Sequence, residues 1–296
     1  MELVFLGTSG MQPTKERNHP SVILLYKGEG ILFDCGEGTQ RQLRAAGIKP
    51  TIIRKIFLTH WHGDHVLGLP GLLQTMSASE YSGTVEIYGP KGTKKFVEMM
   101  NTAFASADLL ELSVTEVGKG EICTTQDYTV ESDELVHGVP CVGFAFREKD
   151  VFKIQLPRAK KLGIPEGPLL GKLQGGESII YKGKKIAPLD VATLARGRKI
   201  VYVMDTRPCN GAVRLAKDAD LLIIESTYTS EMEEKAKEYF HMTAHEAATI
   251  ANQAGVKRLI LTHFSARYKD PHEVEDDARL VFDGAEAAED LRRVRL

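Results

Sequence analysis

The chain has 296 residues, of which 43% are hydrophobic and 26% are charged, a balance typical of a folded globular protein. Lys and Arg number 38 and Asp and Glu 40, and this near-neutral sum argues against a dedicated nucleic-acid-binding protein. The longest apolar runs, such as 221–224, are far below the ~20 residues of a membrane-spanning helix. Glu2 stands where an export signal is basic, and the four cysteines are scattered, so we expect a cytoplasmic protein with reduced thiols.

Short β-branched runs alternate with stretches of helical spacing in residues 1–146. Strands are predicted over 2–6, 22–26, 31–33, 55–58 and 85–88, and a helix over 93–105. From residue 199 the alternation resumes. Strands are predicted there at 200–204, 221–224, 258–261 and 291–294, with helices between them. Strands that alternate with helices predict an α/β protein built in layers.

The two parts of the chain repeat each other at the ends of their strands. Apolar strands end in Asp34 and in Asp205, and two others end in a Thr-His pair, at His60 and at His263. The shared order indicates two related half-domains. Ligand sites in open α/β sheets gather at the carboxyl ends of strands, so we expect the chemistry at that edge. The predicted organisation is one domain, residues 1–296, made of two half-repeats at about 1–146 and 199–296.

An insertion at residues 150–178 interrupts the alternation and is rich in Pro, Gly and Lys. Its irregular composition predicts no core element, and long insertions are usually functional or disordered. Residues 147–199 hold 13 basic and 5 acidic residues, a net of +8, so the near-neutral total conceals a basic segment. Such a segment suits an arm that binds an RNA backbone, with a solvated loop as the alternative. The candidate contacts are Lys153, Arg158, Lys160, Lys161 and Lys172.

The strongest local signal is an H-x-H-x-D-H cluster directly after the strand at 55–58. Imidazole and carboxylate groups are good ligands for zinc and similar divalent metals, and four on one Gly-containing loop can converge. A polar surface turn is the alternative, but it would bring the four together by accident. The cluster consists of His60, His62, Asp64 and His65. One loop fills only part of two coordination shells, so further ligands are expected at strand ends: His137, Asp205 and His263.

These seven side chains predict a site for two metal ions. The expected assignment gives one ion His60, His62 and His137, the other Asp64, His65 and His263, and makes Asp205 a bridge. Two ions about 3.5–4 Å apart can generate hydroxide and stabilise the attacking and leaving oxygens of a phosphoryl displacement. Two zinc ions per subunit are expected, with manganese or iron as alternatives, because His/Asp sites accept these metals according to supply.

These residues carry a resemblance to a known family. The metal loop followed by separated His, Asp and His resembles the metallo-β-lactamase superfamily, and the whole chain resembles its ribonuclease Z family, endonucleases that remove 3′ trailers from precursor tRNA. Further motifs of that family are matched at 5–10, 13–18, 33–39, 225–228 and 241–243. One residue departs from the pattern, since Met242 stands where Ser is usual.

The resemblance implies an αββα sandwich with the dinuclear site at one edge and a protruding flexible arm for RNA. Gly167 and Pro168 match the Gly-Pro element of that arm, which favours the arm over a solvated loop. Precursor tRNA is the implied partner. The family also implies a homodimer in which the arm of one subunit serves the other, and a substrate-binding loop that contains Lys15, Arg17 and Asn18.

A second candidate group surrounds His241. Thr243 fits the N-cap of a helix that ends at Gly255, and helix N-termini favour phosphate, so Thr243 is a candidate substrate contact. An imidazole at His241 can donate a proton to a departing oxygen, with an ordinary loop histidine as the alternative. Glu225 would hold that imidazole protonated, or else is a surface acid. Asp34 is expected to hydrogen-bond the metal loop, or else to form a simple turn.

The leading hypothesis is a zinc-dependent endoribonuclease. In it Asp64 orients the attacking water or accepts its proton, His241 protonates the leaving oxygen, and the products are a tRNA 3′-hydroxyl and a trailer 5′-phosphate. A second hypothesis is a small-molecule hydrolase of the same fold, such as a phosphodiesterase, arylsulfatase or lactonase, which needs no arm. A third is a non-catalytic metal-bearing RNA-binding scaffold, which gives no physical reason to keep a base at the metals.

Overall fold

The computed structural model describes residues 1–104 and 110–296. Contacts divide the chain into two compact units. Unit 1 comprises Met1–Ile122, Glu131–Ala145 and Ile200–Leu296, and unit 2 comprises Cys123–Val130 and Phe146–Lys199. No helix in the described ranges is long and apolar enough to span a lipid bilayer.

The strands and helices fall close to their predicted places. Among the described residues the strands are β1 (Glu2–Gly7), β2 (Ser21–Tyr26), β3 (Glu29–Phe33), β4 (Ile53–Phe57), β5 (Thr84–Gly89), β6 (Glu111–Glu116), β7 (Gly120–Thr124), β8 (Tyr128–Glu134), β9 (Val142–Glu148), β10 (Val151–Ile154), β11 (Ile179–Tyr181), β12 (Lys184–Ile186), β13 (Ala192–Ala195), β14 (Lys199–Val203), β15 (Leu221–Glu225), β16 (Leu259–Thr262), β17 (Ala285–Ala287) and β18 (Arg293–Arg295). The helices are α1 (Thr39–Ala45), α2 (Gly63–Val66), α3 (Leu69–Ala78), α4 (Thr93–Ala103), α5 (Leu156–Lys161), α6 (Pro168–Gln174), α7 (Pro188–Val191), α8 (Asn210–Ala216), α9 (Glu233–Glu238), α10 (Ala244–Ala254) and α11 (His272–Arg279). Short 3-10 helices lie at Pro50–Ile52 and Ser230–Met232. The predicted end of α4, residue 105, lies outside the described residues.

Two large sheets form the centre of the fold. Their strand orders are β18-β1-β2-β3-β4-β5-β6 and β17-β16-β15-β14-β9-β8-β7. Strands β3 to β6 are parallel to one another, and so are β14 to β17. Parallel strands bring their carboxyl ends to the same edge, and this is where the sequence places its polar residues.

The layers follow from the alternation of side chains along the buried strands. One face of the first sheet packs against α1 and α3 through residues such as Leu32 and Leu72. One face of the second packs against α8, α10 and α11. Between the sheets, the rings of Phe33 and Phe144 lie 6.3 Å apart and those of Phe57 and Phe144 5.3 Å apart. The predicted αββα sandwich is confirmed.

Unit 2 has a core of its own, so the expectation that residues 150–178 form no core element is wrong. Strand β10 pairs with β13 and β11 with β12, both antiparallel. Apolar side chains from the helices and strands share one buried cluster: Ala159, Ile164, Leu170, Leu173, Ile179, Ile186 and Val191. These residues are too widely spaced among Pro, Gly and Lys to give a clear period in the sequence. The elements also continue past the predicted end at residue 178.

A close backbone approach in unit 2 gives a test of its packing. A Cβ added at Gly197 would lie 1.9 Å from the carbonyl oxygen of Glu148, so Gly197→Ala is expected to lower the free energy of unfolding of unit 2 by about 1–3 kcal/mol. Gly171 is the matched control. It lies within α6 with nothing near an added Cβ, so Gly171→Ala should be neutral or stabilising by about 0.5–1 kcal/mol. Amide hydrogen exchange of residues 146–199 measures both, and equal protection in the two variants would contradict this packing.

Candidate metal centre

Four strand ends deliver side chains to one place. Asp34 follows β3, His60 follows β4, Asp205 follows β14 and His263 follows β16. Asp34, Asp205 and His263 have positive φ angles of 53°, 34° and 63°, which turn the chain sharply out of the sheet. Because a left-handed backbone is strained for a residue with a Cβ, its use at three of these four positions is typical of a functional site.

The metal loop continues from His60 into the short helix α2. His62 is its N-cap, and Asp64 and His65 lie in its first turn. This single turn aims several side chains of the loop back toward the strand ends. One potential ligand atom from each member of two groups lies within 4.8 Å of the others. The groups are His60, His62, His137 and Asp205, and Asp64, His65, Asp205 and His263. These are the seven residues that the sequence singles out, and Asp205 belongs to both groups.

Ring nitrogens in these groups face one another. Nε2 of His60 and Nε2 of His137 each lie 3.1 Å from Nδ1 of His62, and Nε2 of His65 lies 3.3 Å from Nε2 of His263. Three nitrogens that converge in this way cannot all be satisfied by shared protons, because each contact can use only one. A cation that accepts their lone pairs satisfies all of them at once.

Two buried carboxylate oxygens point to the same conclusion. Oδ1 of Asp64 and Oδ1 of Asp205 have no hydrogen-bond donor among the described residues. Nε2 of His263 lies 3.1 Å from Oδ1 of Asp205, but outside hydrogen-bond geometry. Buried acceptors of this kind are costly unless they are paired or coordinate a metal. The donor set therefore fits divalent metal ions.

The pKa values indicate a site that attracts positive charge. Burial favours the neutral form of Asp64, but the neighbouring His65 and His263 outweigh it and lower the pKa of Asp64. Burial also opposes a proton on His65, but Asp205, Asp64 and Asp34 outweigh it and raise its pKa well above the usual range. By contrast, burial lowers the pKa of His60 to about 4, so that imidazole is neutral, the form that binds metal.

Asp34 orients two imidazoles of the first half-repeat. Its carboxylate accepts hydrogen bonds from the backbone N–H of Thr59 at 2.8 Å, from the Thr59 hydroxyl at 3.0 Å and from the hydroxyl of Tyr202 at 3.1 Å. It also lies 2.8 Å from Nδ1 of His65, which leaves Nε2 of that ring for the second group. The Thr59 hydroxyl is 3.1 Å from Nδ1 of His60. Asp34 thus contacts the metal loop, and the simple-turn alternative does not describe it.

Glu225 repeats this arrangement in the second half. It ends β15 and is fully buried, which excludes a surface acid. Its carboxylate lies 3.0 Å from Nδ1 of His241 and accepts a hydrogen bond from the hydroxyl of Thr227 at 2.6 Å. That hydroxyl is also 2.9 Å from Nδ1 of His263. In both halves a buried carboxylate therefore contacts one imidazole directly and a second through a threonine.

His241 lies just before α10, where the sequence places it. Its ring centroid is 5.5 Å from that of His137 and 5.4 Å from that of His263, so it borders both groups. Burial lowers the pKa of His241, but Glu225 and Asp205 outweigh it and raise that pKa to about 9. Thr243 is the predicted N-cap and forms a capping box with Glu246. It is only 1% exposed and its hydroxyl serves the cap, so it supports the helix and is not presented to a substrate.

The candidate substrate loop at residues 13–18 presents one of its three named side chains. Lys15 is exposed, whereas Arg17 is 6% exposed and donates a hydrogen bond to the carbonyl oxygen of Tyr268 at 2.6 Å. Asn18 donates a hydrogen bond to the carbonyl oxygen of Glu37 at 2.6 Å. Arg17 and Asn18 therefore hold the loop in place, and Lys15 remains available for contact.

The candidate arm residues all lie in unit 2 and are exposed: Lys153, Arg158, Lys160, Lys161, Gly167, Pro168 and Lys172. Three further lysines, Lys182, Lys184 and Lys185, are exposed on or beside the hairpin of β11 and β12. The sequence does not single them out because the predicted arm ends at residue 178. The excess of positive charge over residues 147–199 is the signal that includes them.

Comparison with known proteins assigns the chain to a family. A model of the beta-lactamase superfamily domain matches residues 186–264, and a model of the anti-Pycsar protein Apyc1 matches residues 1–108. Ribonuclease Z of Methanothermobacter thermautotrophicus is 43% identical over 298 residues, which cover 100% of this chain and 97% of that protein. Ribonuclease Z of Streptococcus sanguinis is 40% identical over 311 residues, which cover 100% of both.

A solved structure gives the same assignment. The crystal structure of human tRNase Z, short form, matches with a TM-score of 0.71 and 31% sequence identity over 100% of this chain and 99% of that one. Relatives of this identity and coverage share a family as well as a fold. The chain therefore belongs to the ribonuclease Z family of the metallo-β-lactamase superfamily.

Proposed function

We propose that this protein is a zinc-dependent endoribonuclease that removes 3′ trailers from precursor tRNA. The observation that carries the proposal is the pair of His/Asp groups that share Asp205, with a buried Glu225–His241 pair beside them. The names of its full-length relatives, ribonuclease Z and tRNase Z, support the substrate. The proposed products are a 3′-hydroxyl on the tRNA and a 5′-phosphate on the trailer.

Two zinc ions per subunit are proposed, with manganese or iron as alternatives. His60, His62 and His137 would hold one ion and Asp64, His65 and His263 the other, with Asp205 shared between them. Two divalent ions supply a hydroxide nucleophile and stabilise the charge that develops in an in-line phosphoryl displacement.

The chain's own residues have separate roles in this reaction. Oδ1 of Asp64 is buried without a donor, so it can accept a hydrogen bond or a proton from the attacking water. Nδ1 of His241 is occupied by Glu225, which leaves Nε2 to donate a proton to the departing 3′ oxygen. Since water attacks and the 3′ oxygen leaves, the tRNA keeps a 3′-hydroxyl and the trailer a 5′-phosphate.

The remaining elements of the proposal concern binding. Lys15 and the exposed basic residues of unit 2 are proposed to contact the RNA backbone. A homodimer in which the arm of one subunit serves the other is proposed from the family resemblance. The cytoplasm is the proposed compartment, supported by four cysteines that form no disulfide: Cys35, Cys123, Cys141 and Cys209.

The experiment that tests the proposal uses an end-labelled precursor tRNA and a matched mature tRNA. A single cut on the 3′ side of the discriminator base is expected, lost with chelator and restored by zinc. Enzymatic end analysis should find a 3′-hydroxyl upstream and a 5′-phosphate downstream. A protein that hydrolyses aryl phosphodiesters but leaves the precursor intact would instead be a small-molecule hydrolase.

The Glu225–His241 pair predicts a shift in the pH profile of cleavage. The anionic Glu225 raises the pKa of His241, so Glu225→Gln should lower it. A proton donor acts only below its own pKa, and activity falls as the pH rises through that value. The alkaline limb of kcat in Glu225→Gln should therefore lie roughly 1–2 pH units below that of the wild type. Glu231→Gln, an exposed acid, serves as the control; identical limbs in Glu225→Gln and the wild type would refute the pairing.

A further inference from the structure

Arg207 joins three segments that carry site residues. It lies two residues after Asp205, and its backbone N–H donates a hydrogen bond at 2.8 Å to the carbonyl oxygen of Val136, the neighbour of His137. Its guanidinium donates through Nη1 to the carbonyl oxygen of His241 and through Nη2 to Oε1 of Glu246 at 2.6 Å. None of these contacts is visible in the sequence as a motif.

The carboxylate that Arg207 binds also caps α10. Oε2 of Glu246 accepts the backbone N–H of Thr243 at 2.9 Å, and the backbone N–H of Glu246 donates to the hydroxyl of Thr243 at 3.2 Å. Nη1 of Arg207 lies 3.2 Å from the same Oε2, so the guanidinium and the carboxylate form a two-point pair. Such charge-assisted pairs fix orientation as well as contributing energy. The N-terminus of α10 is therefore tied to the Asp205 segment.

His241 lies between this cap and the end of α9, and it is held at three points. Its backbone N–H donates to the carbonyl oxygen of Ala236 at 2.8 Å, its carbonyl accepts from Arg207, and its ring contacts Glu225. The residue before it, Phe240, has a φ of 58°, a backbone conformation that persists only where surrounding contacts impose it. Of the three contacts, the one from Arg207 ties His241 to the segment that carries the shared Asp205.

We propose that Arg207 is a positioning residue that holds His241 in reach of the leaving oxygen. The inference rests on the proposed function, in which His241 is the proton donor. A direct contact of Arg207 with RNA fits the structure less well, because both terminal nitrogens are occupied by protein acceptors and the side chain is only 18% exposed. Its effect is confined to the step in which His241 donates a proton.

That confinement gives a test based on leaving groups. Precursor tRNA loses an alkoxide, which needs a proton, whereas bis(p-nitrophenyl) phosphate loses a phenolate, which leaves without one. In the zinc-loaded enzyme, Arg207→Met should lower kcat on precursor tRNA about 10–100-fold with KM little changed. The loss on the aryl ester should be at least roughly tenfold smaller. Arg207→Lys should behave like Arg207→Met, because an ammonium cannot reproduce the two-point pair.

His241→Ala separates the failure of this inference from the failure of the proposed function. It should show the same selectivity with a larger loss, and adding Arg207→Met to it should cost nothing more. If His241→Ala is selective but Arg207→Met lowers both substrates equally, Arg207 merely supports the fold and the inference is wrong. Full activity of Arg207→Met on precursor tRNA would overturn it as well. If His241→Ala shows no selectivity, the proposed proton donor and this inference fall together. Zinc content and thermal unfolding of Arg207→Lys confirm that a folded, loaded enzyme is compared.

Discussion

Replacing Asp205 with Asn is expected to abolish cleavage and to lower the zinc content, while leaving the metal-free chain at least as stable as the wild type. Asp205 belongs to both donor groups, so one substitution removes a ligand from each. Without metal, its buried carboxylate lies among other acids, and burial of several like charges opposes folding. The amide keeps the size of the side chain and removes the charge.

Thermal unfolding with and without zinc measures this directly. A ligand that binds only the folded state raises its stability, so the wild type should gain a higher midpoint with zinc and Asp205→Asn should gain little. Asp283→Asn, at an exposed aspartate, should follow the wild type in zinc content, midpoint and cleavage. A variant that keeps both its zinc and its cleavage would show that Asp205 does not join the two groups.

Replacing the arm cations with Gln is expected to weaken binding of precursor tRNA roughly a hundredfold or more at low salt. The variant changes five exposed side chains together: Lys153, Arg158, Lys160, Lys161 and Lys172. Each lost phosphate contact should also reduce the slope of log affinity against log salt by about 1. Hydrolysis of a small aryl phosphodiester should change less than about twofold, because such an ester needs no distant contact.

A variant with the same change of charge in unit 1 is the matched control. It replaces five exposed lysines, Lys49, Lys91, Lys94, Lys95 and Lys119, and tests whether net charge alone explains the effect. Filter binding across a salt series compares the two. An equal loss of affinity in both would refute a specific arm, and unchanged cleavage of precursor tRNA in the arm variant would favour the small-molecule hydrolase.

Much of the site could be predicted because its signals are local in the sequence. The metal loop places four ligand-type residues within residues 60–65, and the repeated strand ends identify Asp205 and His263. Parallel strands carry such residues to one edge wherever they lie in the chain. The capping-box pattern likewise placed Thr243 at the start of α10, because a cap depends on neighbours three residues apart.

The supporting contacts could not be predicted, because they join distant parts of the chain. Tyr202 and Asp34 are separated by 168 positions, and Arg207 and Glu246 by 39. A tyrosine in an apolar strand predicts burial, and only the packing of the two sheets turns its hydroxyl toward Asp34. Similarly, the buried state of Arg17 depends on the carbonyl oxygen of Tyr268, 251 positions away. The family motif names Arg17 but does not say which way it faces.

The left-handed backbone at Asp34, Asp205 and His263 sets the site against the stability of the fold. Each such residue costs of order 1–3 kcal/mol, which glycine would relieve. The three positions have therefore been kept for what their side chains do, and the protein lies below the stability that its two sheets permit. Laboratory evolution for heat resistance, run without an assay for cleavage, would be drawn early to these three positions and would lose the site there.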